Sequence, residues 1–112
     1  MDTRADRERF VVVCAVDDSA AAADVVKTAA YQALRSDGEL HLIHCLQKPL
    51  GENTTEALEA GRRLLEGLSK QENVTESVTL HLAAGVPWIE IVQLAANVHA
   101  DLVVVGIHDQ SA

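Results

Sequence analysis

The sequence predicts an α/β domain, with a doubly wound parallel sheet of four strands in a three-layer arrangement. Apolar runs of strand length alternate with stripes of helical spacing, and together they give the order βαβαβαβ. That order favours a parallel sheet with helices on both faces, because right-handed crossovers return each helix to the sheet. The composition agrees, since 48% of the residues are hydrophobic and only 3% are aromatic, which suits an aliphatic core between helices and a sheet.

The first strand and helix open the domain. Residues 9–16 (RFVVVCAV) form a continuous β-branched run, which indicates a strand covered on both faces. The acidic turn that follows predicts a helix start with Ser19 as the N-cap. Gly38 stands where a glycine ends such a helix. Between them, an apolar stripe recurs at helical spacing: Val25, Val26, Ala29, Ala30, Ala33 and Leu34.

Two further strands flank the second predicted helix. Residues 39–46 (ELHLIHCL) predict the second strand, and residues 77–83 (SVTLHLA) predict the third. Strict alternation in the third strand indicates that one of its faces is less covered. The helix between them carries its own apolar stripe: Ala57, Leu58, Gly61, Leu64, Leu65 and Leu68.

The last predicted helix and strand follow a turn at residues 85–87, where Pro87 suits the first helical position. Four residues make up the predicted buried face of this helix: Trp88, Ile91, Val92 and Ala95. Residues 101–107 (DLVVVGI) predict the fourth strand, and their apolar run without alternation is typical of a central strand.

The bulk properties predict one domain at residues 9–112, after a polar N-terminal tail at residues 1–8. The net charge of −8 disfavours nucleic acid and anionic membranes as partners. No apolar run approaches the ~20 residues of a membrane span, and the N-terminus lacks a secretion signal. Cys14 and Cys45 both lie in apolar runs, which indicates buried thiols in a reducing compartment. We therefore expect a cytoplasmic protein.

Three stretches of the chain match the pattern of one known family. The most specific is GVPWIEIVQLAANVHADLVVVG, in which seven spaced residues fall on that pattern: Gly85, Pro87, Ile91, Ala95, Asp101, Leu102 and Gly106. The stretches VVVCAVDDSAAA and ELHLIHC match as well, although Asp18 replaces a usual glycine. On these motifs the chain resembles the universal stress protein (UspA-like) family, from about residue 9 to residue 108.

The resemblance implies a Rossmann-like sheet in the strand order 3-2-1-4-5, and homodimers that form through the fifth strand. In this sequence the predicted order is 3-2-1-4, with the usual last helix and fifth strand absent. Either the chain is an incomplete piece of a longer domain, or it is a short variant that pairs its fourth strand with another chain. In both cases we expect a homodimer or another oligomer through the edge of strand four, because unpaired N–H and C=O groups promote association.

The resemblance also implies an adenine-nucleotide site. It would lie beyond the carboxyl ends of strands one and four, where the strand order changes direction. In ATP-binding members, the residues at the positions of Asp17 and Cys45 contact the adenine side. The candidate site residues are Ala15, Val16, Asp17, Cys45, Val105 and Gly106. ATP or AMP is the only cofactor that the resemblance suggests.

The glycine-rich phosphate loop of the family is only partly present. Gly106 matches its first glycine, Asp109 takes the place of the second, and the third would lie beyond Ala112. An aspartate close to a triphosphate costs on the order of 1–4 kcal/mol. No Lys or Arg follows Lys70 to offset that charge. We therefore expect a degenerate site that binds ATP weakly or not at all.

Two interpretations of function stay open. The first is a stress-response regulatory or interaction module with a degenerate nucleotide site. The alternative is an ATP- or AMP-binding universal stress protein whose phosphate loop lies beyond this chain or comes from a partner. No catalytic residue is predicted, because the chain has no Gly-x-Ser-x-Gly elbow and no Walker motif. No metal site is predicted either, since His41 and His81 are only two ligands.

Overall fold

The computed structural model describes residues 9–46, 54–74 and 78–106. These residues form elements in the predicted order: β1 (Val11–Val16), α1 (Ala22–Arg35), β2 (Glu39–Leu46), α2 (Thr54–Gln71), β3 (Val78–Ala84), α3 (Pro87–Asn97) and β4 (Leu102–Val105). Several predictions fall on residues outside the described ranges: the tail at residues 1–8, Ser77 in the third strand, Ile107 in the fourth strand, and Asp109 in the phosphate loop.

The strands form one parallel sheet in the order β3-β2-β1-β4, so the predicted doubly wound fold is confirmed. β1 lies inside the sheet, and Ala15 aligns with Ile43 of β2 on one side and with Val105 of β4 on the other. This register brings the carboxyl ends of three strands together at the point where the strand order changes direction. Ligands bind at such a point in open α/β sheets.

The first two helices cover one face of the sheet with the main hydrophobic core. Alternate side chains of β1, namely Val12, Cys14 and Val16, point into this layer and are at most 7% exposed. They pack against small residues of α1 and leucines of α2: Ala22, Val26, Ala29, Ala30, Ala33, Leu65 and Leu68. Full burial of each large aliphatic side chain stabilises the fold by about 1.5–3 kcal/mol. The aliphatic core that the composition predicts is therefore present on this face.

The third helix covers the opposite face only in part. α3 begins at Pro87, with Val86 as its N-cap, in agreement with the predicted turn. The predicted buried face is wrong at two positions, because Trp88 and Val92 are 67% and 58% exposed. Ile91 and Ala95 are half-buried, and α3 has no fully buried residue. Successive helical residues are rotated by about 100°, so only one stripe of this broad apolar helix meets the sheet.

The fourth strand is less covered than its sequence predicts. Leu102 and Val104 pack against the core layer, whereas Val103 and Val105 are 41% and 49% exposed on the other face. The main contacts of α3 are with β1, β2 and β3, which explains why this face of β4 lies open. Although all four residues of β4 are apolar, their side chains therefore alternate between the core layer and an exposed face.

The first helix starts later than predicted. Its N-cap is Ala21, which provides no side-chain cap, and not Ser19. Ser19 lies in the turn before the helix, where its Oγ accepts a hydrogen bond from the backbone N–H of Ala21 at 3.3 Å. The acidic turn after β1 is therefore two residues longer than the sequence pattern suggests.

The connection from α1 to β2 uses Gly38 differently from the prediction. The residue with positive φ after the helix is Asp37, at 51°. Gly38 is required instead by a close approach, because a Cβ at this position would overlap the carbonyl oxygen of Phe10. The side chain of Arg9 donates hydrogen bonds to the carbonyl oxygens of Asp37 and Gly38 at 3.3 and 3.0 Å. This turn is therefore tied directly to the segment that leads into β1.

Within the described residues, none of the helices combines the length and the apolar character that crossing a membrane requires.

Candidate functional site

A crevice of about 200 Å³ opens at the carboxyl ends of β1, β2 and β4, between α1 and α3. All six candidate residues from the sequence lie around it: Ala15, Val16, Asp17, Cys45, Val105 and Gly106. The structure thus brings together residues from three strands that are far apart in the chain. Their contact with a nucleotide stays a prediction.

The sequence patterns did not indicate the apolar residues that form the walls of the crevice. Ile43 of β2 lines it together with Pro87 and Ile91 of α3, and Ala22 and Val25 of α1 add the opposite wall. Two sequence signals could have found part of this set. Ile43 lies two residues before Cys45 on a strand, and Pro87 and Ile91 are four residues apart on a helix, so each pair shares a face.

The polar groups at the crevice come mainly from the turn after β1. Asp17 Oδ1 accepts a hydrogen bond from the backbone N–H of Ser19 at 3.0 Å. Ser19 in turn accepts the N–H of Ala21. The acidic turn therefore has a structural role in shaping the start of α1, and the same bonds fix the Asp17 carboxylate at the edge of the crevice.

His44 connects the ends of β1 and β2 at the crevice. Its Nδ1 lies 2.9 Å from the carbonyl oxygen of Val16, so this nitrogen carries the proton and donates it to that carbonyl. The ring also lies against Gly61 of α2, where a Cβ would come within 3.3 Å of His44 Cδ2. His44 therefore has a structural role, because it joins the end of β1 to β2 and packs against α2.

Gly106 allows the end of β4 to approach α1 closely. A Cβ on this residue would lie only 2.8 Å from Val25 Cγ2, closer than normal carbon contacts allow. Since Val25 and Gly106 both line the crevice, a side chain here would enter the cavity or push α1 away. Glycine at this position therefore helps to keep the crevice open.

The surroundings of both cysteines favour the thiol over the thiolate. Burial raises the pKa of the Cys14 thiol to about 12. Burial, and then the negative charge of Glu90, raise the pKa of Cys45, whose Sγ lies 3.9 Å from the carbonyl oxygen of Pro87. Both are free thiols. Because the thiolate is the reactive form, Cys45 acts in the crevice as a small apolar wall residue.

The crevice lining carries negative rather than positive charge. Among the described residues that line it there is no Lys or Arg, whereas Asp17 is acidic and Glu90 acts on the nearby Cys45. In the parts of the chain that the structure describes, no group of three or more His, Cys, Asp or Glu residues is arranged to hold a metal ion. The described lining thus offers apolar contact and acceptor oxygens, and no cationic partner for phosphate.

The fold and the crevice define a Rossmann-like α/β domain with a candidate ligand site at its switch point. The sequence profile of the Universal stress protein family matches residues 9–112, and the chain belongs to that family. No curated protein sequence matches the chain.

Solved structures of the family share the fold. A universal stress protein from Archaeoglobus fulgidus is 25% identical with a TM-score of 0.78, and the match covers 91% of this chain and 79% of that one. A structure of the universal stress protein from the same organism in complex with dAMP is 26% identical with a TM-score of 0.70, covering 88% and 81%. A universal stress protein in complex with cAMP is 21% identical with a TM-score of 0.74, covering 87% and 75%.

Proposed function

We propose that this domain is a regulatory or interaction module of the stress response whose crevice keeps only the base-binding part of a nucleotide site. It takes the adenine end of a mononucleotide weakly, and it binds ATP weakly or not at all. The observation that carries this proposal is the crevice itself, which is about 200 Å³ and has no Lys or Arg among its described lining residues.

The size of the crevice supports a fragment-sized ligand. Pockets that enclose whole small-molecule ligands usually measure about 300–1,000 Å³, so this one fits a flat base better than a complete triphosphate. Its walls are apolar at Ala15, Ile43 and Ile91, which suits the faces of a purine ring. The dAMP complex of the Archaeoglobus fulgidus relative supports an adenine mononucleotide as the ligand class.

The charge of the crevice argues against strong triphosphate binding. Asp17 stands at its edge, and a carboxylate about 4 Å from a phosphate charge costs roughly 1 kcal/mol even in water-like surroundings. Since the described lining residues include no Lys or Arg, backbone N–H groups among them would have to compensate for that repulsion.

The alternative function is an ATP- or AMP-binding universal stress protein that completes its phosphate loop with residues beyond this chain or from a partner. The position of Gly106 at the crevice favours it, because this residue matches the first glycine of the family's loop. A tight ATP complex of the longer parent or of an assembled oligomer would support the alternative.

Calorimetric titration with AMP and with ATP–Mg²⁺ tests the proposal. We expect AMP to bind with a dissociation constant of about 10⁻⁴ M or weaker, equivalent to roughly −5.5 kcal/mol, and ATP to bind no more tightly. Asp17→Asn should strengthen ATP binding about fivefold, which corresponds to the ~1 kcal/mol repulsion that it removes. The substituted amide oxygen still accepts the N–H of Ser19, so the turn is kept.

Asp24→Asn is the matched control, since Asp24 is an exposed residue in the first turn of α1 and does not line the crevice. It should leave both affinities unchanged. Micromolar ATP binding by the unmodified chain would contradict the degenerate site and favour the alternative. An unchanged ATP affinity in Asp17→Asn would show that this carboxylate is not what weakens the binding.

The proposed module also forms homodimers through β4. Within the described residues β4 pairs only with β1, and its other edge is open next to the exposed Val103 and Val105. Two copies related by a two-fold axis would pair these edges in an antiparallel manner and cover the valines. We place the module in the cytoplasm, where the free thiols Cys14 and Cys45 stay reduced.

Val103→Lys should raise the dissociation constant of the dimer at least about tenfold, because a lysine on an edge strand opposes pairing with another strand. Sedimentation velocity over a concentration series measures the change. Thr79→Lys, an exposed position on the β3 edge of the same sheet, serves as the control and should keep the wild-type association. A wild-type chain that stays monomeric at high concentration, or equal effects of both lysines, would refute assembly through β4.

A further inference from the structure

Three polar side chains form a hydrogen-bonded row on the α3 face of the sheet, outside the crevice lining. His41 Nδ1 of β2 lies 2.9 Å from His81 Nε2 of β3, and His41 Nε2 lies 3.2 Å from Glu39 Oε2. The two ring centroids are 5.1 Å apart with a tilt of 31° between the planes. His41 is only 8% exposed. The row thus bridges neighbouring strands, with His41 buried at its centre and the Glu39 side chain 43% exposed at one end.

The hydrogen-bonding partners fix where the protons lie when both imidazoles are neutral. An ionised carboxylate only accepts hydrogen bonds, so His41 Nε2 carries a proton and donates it to Glu39. His41 Nδ1 then has a lone pair, and His81 must donate its Nε2 proton to it. Each contact in the row is satisfied in this arrangement, from His81 through His41 to Glu39.

Adding protons changes this balance in two different steps. With one extra proton, a cationic His41 donates from both nitrogens, to Glu39 and to a lone pair on His81 Nε2. A second proton leaves N–H groups on both nitrogens of the 2.9 Å contact, with no acceptor between them. Two positive rings about 5 Å apart also repel each other. The doubly protonated pair is therefore incompatible with the observed geometry.

We propose that Glu39, His41 and His81 form an acid-sensitive clasp that fastens β3 to β2 and opens when both imidazoles are protonated. β3 pairs only with β2 among the described strands, so opening the clasp loosens an edge strand, while β1 keeps its pairing with β2 and β4. Histidine is suited to this task because its ordinary pKa of about 6.5 lies close to physiological pH.

The direction of one titration supports the clasp. Burial, and then the charge of His41, lower the pKa of His81. The unfolded chain therefore binds this proton more readily than the folded one does. The stabilising contribution is fully present above the unfolded value of about 6.5 and is lost as the pH falls below it.

The described elements around this face bring few other charged groups to the row, and the nearest is Arg9, which donates a hydrogen bond to the carbonyl oxygen of Gly38 beside Glu39. On β1, the residues that share the face are Val11, Val13 and Ala15, which carry no charge. The only titratable residues in the stretch from α3 to its following turn are Glu90 and His99. Glu90 belongs to the first turn of α3 and lies near Gly85 and Cys45, at the carboxyl ends of the strands. His99 is exposed in the turn after the helix.

Two measurements on the unmodified domain test the clasp directly. NMR titration of the histidine rings should show a pKa for His81 below the ordinary value for histidine. Hydrogen exchange should show that the amides of β3 lose protection by about tenfold or more between pH 7.5 and pH 5, while the amides of β1 change less. A pKa of His81 at or above the ordinary value for histidine, or equal loss of protection in β1 and β3, would overturn the proposal.

Variants separate the clasp from a general effect of acid. His81→Gln keeps a donor for His41 Nδ1 but cannot be protonated, so the pH-dependent loss of β3 protection should fall by more than half. His99→Asn removes an exposed histidine outside the row and suits the positive φ of 55° at that position. It should keep the wild-type pH dependence. A full wild-type pH dependence in His81→Gln would also overturn the clasp.

Discussion

Replacing Gly38 with alanine is expected to destabilise the domain by about 3 kcal/mol, at the upper end of the cost of overpacking. The added Cβ would overlap the carbonyl oxygen of Phe10 and would lie 3.2 Å from the carbonyl oxygen of Ala33. Both neighbours are backbone atoms, so no side chain can rotate away. Moving the chain would strain two hydrogen bonds, from Gly38 N–H to Ala33 (2.7 Å) and from Glu39 N–H to Phe10 (2.8 Å).

Urea unfolding followed by circular dichroism measures this effect. Gly67→Ala is the matched control, because a Cβ on this residue of α2 meets no atom within 4 Å. Alanine in a helix interior should there stabilise the domain by about 0.5–1 kcal/mol. The two substitutions are chemically identical and should have opposite signs. If Gly38→Ala were as harmless as Gly67→Ala, the tight packing of the α1–β2 turn against Phe10 would be contradicted.

Replacing Asp101 with alanine is expected to cost about 1.5–3 kcal/mol, the usual value of a hydrogen bond to a charged group. Asp101 Oδ2 accepts the backbone N–H of Val11 at 2.8 Å, and the Asp101 N–H donates to the Val11 carbonyl at 2.8 Å. This residue therefore joins the first residue of β1 to the start of β4. Without the carboxylate, the N–H of Val11 loses its acceptor while Val11 itself is only 7% exposed.

Asp101→Asn distinguishes the hydrogen bond from the charge, since its amide oxygen still accepts the N–H of Val11. We expect it to lose less than half of the stability that Asp101→Ala loses, by the same denaturation measurement. Equal losses in the two variants would mean that the negative charge matters, and not the acceptor. If both variants changed the free energy of unfolding by less than about 0.5 kcal/mol, as at an ordinary surface position, the proposed stabilising link between β1 and β4 would be contradicted.

The order and pairing of the strands could be predicted because they depend on signals that are local in sequence. Each strand is a short aliphatic run, each crossover is long enough for a helix, and the handedness of crossovers leaves few arrangements. The resemblance to the universal stress protein family, which depends in part on the motif around Asp101 and Gly106, then implied the order 3-2-1-4. What the motif did not reveal is the role of Asp101, because its partner Val11 lies ninety residues earlier in the chain.

Burial on the α3 face could not be predicted in the same way. Trp88, Ile91 and Val92 are all apolar residues of α3. Their spacing therefore does not indicate which of them faces the sheet and which faces solvent. That depends on where α3 lies over the strands. The same limit applies to β4, where four apolar residues in a row hide an alternation between half-buried Leu102 and exposed Val103.

The candidate site was predictable to the extent that it follows from topology. The switch point of the sheet indicated the ends of β1 and β4, and the family motif added Cys45 on β2. The helical walls were not predictable, because the position of Ile91 and Val25 relative to the strand ends is set by packing over long distances. The arrangement of protons in the clasp was not predictable either, because it depends on the positions of the two imidazole rings. The sequence indicates only that His41 and His81 lie on the second and third strands.

The exposed position of Trp88 decides what the natural fluorescence of this protein reports. It is the only tryptophan in the chain, and at 67% exposure its indole is largely in water already in the folded state. Its emission is therefore a poor monitor of unfolding. The same indole stands at the start of α3, one residue from the crevice wall at Pro87. The indole is therefore a natural fluorescent reporter on the exposed side of α3, and its emission should shift when a ligand or partner covers it.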